Sequence, residues 1–142
     1  MEIEFKDFYD LLIDNLESYV EDYDTFIDYG PRLYKLLCDC LNEEIINGDL
    51  RINISAAIAY YVVPMDVIPE QIYGPYGYID DNYISVYVLG KVANTLGYDF
   101  LQHIWDGDDD VESIIKLCYR ESVKRLNNNQ IEEILKYVGI IR

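Results

Sequence analysis

Apolar side chains recur along this chain at steps of three and four and nowhere in a sustained alternation, so the pattern predicts helices throughout. Phe5, Phe8, Leu12, Leu16 and Tyr19 trace one stripe and imply a helix over about 4–21. Leu33, Leu36, Leu37, Cys40 and Leu41 trace a second, entered through Gly30-Pro31 with the proline in the first turn and stopped at Asn47-Gly48. Residues 53–63 are apolar nearly all round (Ile54, Ala57, Ile58, Tyr61, Val62), the pattern of a helix at the centre of a bundle. Pro64 ends it, because proline cannot donate a backbone bond and disfavours helical geometry in the residue before it.

A proline-rich ordered loop is expected at about 64–81, where Pro64, Pro69 and Pro75 restrict the backbone and Gly74 and Gly77 permit sharp turns. Asp80 or Asp81 then caps a helix carrying Ile84, Val88, Val92 and Leu96, which Gly97 terminates. Asp99 starts a short helix through Trp105. The run Asp106-Gly107-Asp108-Asp109-Asp110 opens a longer one with Val111, Ile115, Cys118, Ser122 and Leu126 inward, and Asn129 with Glu132 has the spacing of a capping box for the last. The expected fold is all-α: a single compact bundle of six or seven helices, one domain over residues 1–142.

Composition supports that expectation. A chain of 142 residues that is 51% apolar can bury a core without metal or disulfide staples. Cys38 and Cys40 point away from each other on a helix and Cys118 stands apart, so all three read as reduced core thiols. With His103 the only histidine and no CxxC pair, a structural zinc site is not expected. Acidic residues punctuate the N-terminus, which reads as neither signal nor transit peptide. The apolar run Ile52 to Ile68 contains Asn53, Pro64 and Asp66 and falls short of the roughly 20 residues that span a bilayer. A cytoplasmic, soluble protein without a membrane span is the expectation.

The formal net charge of −16 argues against direct binding to nucleic acid or anionic lipid. Its distribution adds a second point. Asp7, Asp10, Asp14, Glu17 and Glu21 line another side of the first helix, and the only comparable basic row, Lys116, Arg120 and Lys124, stands at four-residue steps on a late helix.

The segment Ala57-Ile58-Ala59-Tyr60-Tyr61-Val62-Val63-Pro64-Met65-Asp66-Val67-Ile68-Pro69-Glu70, continuing to Gly77-Tyr78-Ile79-Asp80-Asp81, resembles the YkvA-like domain of unknown function 1232. The pattern of that family is an apolar helix with a tyrosine, then P-x-D-x-I-P-D, a short hydrophobic turn, and G-x-x-D-D opening the next helix. Glu70 stands where the family has aspartate, and Tyr73-Gly74-Pro75-Tyr76 replaces a tighter proline turn. The resemblance covers residues 57–90 within a family-like core of about 53–97, and implies a fold rather than an activity.

Four carboxylates, Asp66, Glu70, Asp80 and Asp81, fall on two turns where they can converge as oxygen ligands for magnesium, manganese or calcium. The competing reading is stronger: aspartates beside prolines and ahead of helices satisfy exposed backbone N–H groups. Tyr73, Tyr76 and Tyr78 on the same loop, together with the acidic stripe Asp7, Asp10, Asp14, Glu17 and Glu21, form a candidate interaction surface. His103 has no matched acid or nucleophile near it in sequence, Asp106 to Glu112 lacks the register of an EF-hand, and no Walker loop, GxGxxG, HExxH or GxSxG is present. The reading that follows is a noncatalytic regulatory or protein-interaction module without a cofactor, its partner another protein, a basic one among the candidates. The alternatives are a divalent-metal-binding or metal-dependent hydrolytic protein using the four carboxylates, and an acidic mimic of nucleic acid that blocks a basic protein.

Overall fold

The computed structural model describes residues 26, 29–62, 79–137 and 139. Among these residues the secondary structure is six helices and no strand: α1 Gly30–Leu41, α2 Gly48–Val62, α3 Ile79–Leu96, α4 Tyr98–Ile104, α5 Val111–Arg125 and α6 Asn128–Tyr137. The predicted N-terminal helix lies outside the described residues, as do residues 63–78 of the proline-rich loop.

Helix α3 is the centre. It packs mainly against α5 and α2, then against α1, and more lightly against α4 and α6. Its first eight residues, Ile79 to Val86, are all buried, including the polar Asp80, Asp81, Asn82 and Ser85. After Val86 only Val88, Leu89, Val92 and Ala93 remain buried, and the opposite side of the helix emerges at the surface. The central place was expected for residues 53–63 of α2, and this is a correction. Helix α2 buries Ile54, Ala57, Ile58 and Tyr60 against its neighbours but leaves Ile52, Ser55 and Ala59 exposed on its other side.

The junction of α1 and α2 also differs from expectation. Helix α1 ends at Leu41 rather than at Asn47-Gly48, and Gly48 begins α2 instead of stopping α1. Arg51 braces the junction: its guanidinium donates to the carbonyl of Leu41, which the end of α1 leaves open, at 3.2 Å and to that of Ile46 in the connecting loop at 3.4 Å. Gly48 adopts φ +55°, which a residue with a Cβ disfavours, and so lets the chain reverse there. The first turn of α2 is exposed and polar, with Asp49 at its positive end, so it carries no apolar periodicity.

Helix α5 buries Val111, Ile115 and Cys118 as expected, with Ser122 and Leu126 in the same row. The capping box of α6 is real but two residues earlier than Asn129 and Glu132. The Asn127 side chain accepts from the Gln130 backbone N–H at 2.8 Å, and the Gln130 side chain accepts from the Asn127 N–H at 2.9 Å. The acidic run before α5 is exposed, yet it is tied down. Arg32 of α1 lies over the Trp105 ring at 4.5 Å, pairs with Asp109 at 2.8 Å and donates to the Asp106 carbonyl at 3.0 Å. No helix among the described residues is long and apolar enough to cross a membrane.

Candidate functional site

Asp80 and Asp81 open α3 from inside the protein, 0% and 1% exposed. One oxygen of Asp80 accepts the Tyr60 hydroxyl of α2 at 2.6 Å, and the other accepts the backbone N–H of Asp81 at 3.0 Å. A carboxylate in the first turn of a helix meets the positive end of the helix dipole and satisfies an N–H that has no intrahelical partner. The same group therefore starts α3 and ties it to α2. Ser85 donates to the Asp81 carbonyl at 2.8 Å, one turn further in. Asp66 and Glu70 lie outside the described residues, as do Tyr73, Tyr76, Tyr78 and the stripe Asp7, Asp10, Asp14, Glu17 and Glu21. Among the described residues no group of three or more histidine, cysteine or acidic side chains is placed to hold a metal ion.

A second constellation stands where α3 reaches the surface. Tyr83, in the core, packs its ring 5.9 Å from those of both Tyr87 and Tyr119, so an aromatic ladder leads from the interior to a groove between α3 and α5. The groove is open to solvent, with a volume of about 440 Å³, and its lining includes the buried Val86 and Ile115 and the half-buried Gly90. Lys91 sits over the Tyr87 ring at 5.2 Å and Lys116 over Tyr98, the first residue of α4, at 5.7 Å. Asn94 lines the same groove. Glu112, one turn before Lys116, hydrogen-bonds its ammonium and holds its pKa above the ordinary lysine value. Among the described residues Lys91 forms no ion pair with a carboxylate. The basic row Lys116, Arg120 and Lys124 is exposed, and its ion pairs among the described residues are with Glu112 and Glu121 of the same helix.

The thiols are inert by position. Burial pushes Cys40 and Cys118 up to about 12 and Cys38 up to about 11. His103 is exposed on α4.

The family model "Protein of unknown function (DUF1232)" matches residues 51–86. An "Uncharacterized protein ORF9" of Methanothermobacter thermautotrophicus is 32% identical over 130 residues, which is 92% of this chain and 88% of that protein. The chain belongs to one family with that protein, and carries the DUF1232 match as a segment within it. No solved structure matches it. The matched family segment takes in most of α2 and the first eight residues of α3, and stops at Val86, where α3 leaves the core. The DUF1232 signature and the buried Tyr60–Asp80 corner thus coincide, whereas Tyr87, Gly90, Lys91, Asn94, Tyr98, Lys116 and Tyr119 lie beyond the match.

Of the sequence-predicted site residues, Asp80 and Asp81 come together, but as interior groups. Sequence reasoning missed the groove. Its signal is present in retrospect: Tyr87, Lys91 and Asn94 fall at steps of four and three on α3, and Ile115 and Tyr119 four apart on α5.

Proposed function

We propose that the chain is a noncatalytic regulatory or protein-interaction module in which the DUF1232 motif is scaffold. The observation that carries this reading is the state of Asp80: fully buried, with one oxygen used by Tyr60 and the other by its own helix. A carboxylate so engaged ties the start of α3 to α2, a structural task that needs neither metal nor substrate. For a partner, the exterior offers the partly exposed ring of Tyr119, 42% exposed, the side chain of Ile52, 66% exposed, and a net charge of −16 that steers a basic surface.

Affinity capture from the native cell extract tests this, at low and high salt, combined with calorimetry against magnesium, manganese and calcium. A stoichiometric protein partner whose retention falls with salt is the expected result. Divalent-metal-dependent turnover of a phosphoester, lost in Asp80→Asn while the far-ultraviolet circular dichroism is unchanged, would replace the reading with the hydrolytic one.

A further inference from the structure

We infer that the groove between α3 and α5 is a binding site for a small aromatic anion: a flat ring bearing a phosphate or carboxylate. Gly90 occupies the interior of an 18-residue helix, where glycine is destabilising relative to alanine, and such a glycine ordinarily answers to a close neighbour. Among the described residues none exists here, because a Cβ built on Gly90 meets no heavy atom within 4 Å. What the missing side chain does is recess the base of the groove and bring helix backbone within reach of a flat body resting on it.

The walls match such a body. Tyr87, Tyr98 and Tyr119 present rings around a base of Val86 and Ile115, which is the lining on which a planar ligand stacks. The anion has its own partners. Lys91 and Lys116 line the groove with their ammonium groups over Tyr87 and Tyr98, and Asn94 lines it too. In a chain with 27 acidic and 11 basic residues, a groove whose described lining holds two lysines and no carboxylate is a local reversal of charge, carried mainly by Lys91 because Lys116 is shared with Glu112, and it selects for an anionic guest. The volume of about 440 Å³ lies in the range of small-molecule sites. The site goes beyond the interaction reading and supplies an input by which a small molecule regulates the module, whatever protein it meets.

Isothermal titration of the full chain with adenosine 5′-monophosphate and, separately, with salicylate is the test, with adenosine and inorganic phosphate as the two halves of the first probe. Saturable binding of at least one whole probe, roughly tenfold tighter than adenosine or phosphate alone, is expected, and the better probe identifies the anion as phosphate or carboxylate. Lys91→Ala and Gly90→Leu should each weaken it by roughly tenfold or more. Gly90→Ala should raise Tm, since the helix gains propensity and the space is open. No saturation by either probe at millimolar concentration overturns the inference, as does binding that neither variant alters. A fall in Tm for Gly90→Ala removes its first step, because the glycine would then serve packing. Calorimetric silence here leaves the protein-capture experiment unaffected, so the two readings fail separately.

Discussion

The hydroxyl of Tyr60 donates to the carboxylate of Asp80 across 2.6 Å, twenty positions along the chain, with both side chains withdrawn from solvent. The bond joins the last turn of α2 to the first turn of α3 and so fixes the two ends of the proline-rich segment. Tyr60→Phe removes a hydrogen bond to a charged group and is expected to cost about 1.5–3 kcal/mol in urea unfolding. Asp80→Ala should cost more, because it strips a partner from the Tyr60 hydroxyl and from the Asp81 N–H together. An unmoved midpoint for Tyr60→Phe would show that the corner does not hold α2 to α3.

Gly107 and Arg32 form the second tie. The glycine has φ +149°, and a Cβ there would collide with the guanidinium that lies over Trp105. Gly107→Ala and Arg32→Ala should each lower stability by about 1–2 kcal/mol, and the double variant by much less than their sum, because both dismantle one contact. Trp105 is the only tryptophan, so its emission reads the loss directly. Additive effects with unchanged emission would refute the shared contact.

The register of the last cap is open to a simple comparison. Asn127→Ala is expected to destabilise by about 0.5–2 kcal/mol, since its side chain satisfies the Gln130 N–H, while Asn129→Ala should be nearly neutral. Thermal unfolding of the two variants distinguishes them, and the reverse order would restore the cap to Asn129.

The thiols give the chain an alkaline limit. Cys40 and Cys118 are pushed up to about 12 from 9.0, so as pH rises the unfolded chain loses these protons before the folded one does. Their contribution to stability is complete below about pH 9 and is lost progressively between about 9 and 12. Iodoacetamide at pH near 8 should leave Cys40 and Cys118 unlabelled in the native protein and label them once urea unfolds it, as mass spectrometry would show. Rapid native labelling of Cys118 would contradict its burial.

Helix α5 was legible residue by residue: Val111, Ile115, Cys118, Ser122 and Leu126 repeat at helical steps and all five are buried. The start of α2 was not, because Asp49, Arg51 and Ile52 are exposed and carry no periodic signal. Asp80 was read as a cap; its carboxylate accepts the Asp81 N–H from within the first turn of α3, and its bond to Tyr60 depends on how α2 and α3 cross, which spacing alone does not encode. The groove shares that dependence. Gly90 and Lys91 register in a sequence as interruptions of an apolar helix, and only the packing of α3 on α5 turns them into the base and wall of a cleft.

Helix α3 divides its work by length. Its first two turns are interior on every side and admit almost no exchange of residues, whereas the turns after Val86 keep only Val88, Leu89, Val92 and Ala93 inside. Three of the outward positions, Gly90, Lys91 and Asn94, can therefore be rewritten as a set, with Tyr87 kept for its packing on Tyr83, without touching the residues that fold the chain. The bundle is in that sense a carrier with a replaceable face, suited to library selection for new specificities on a fixed frame.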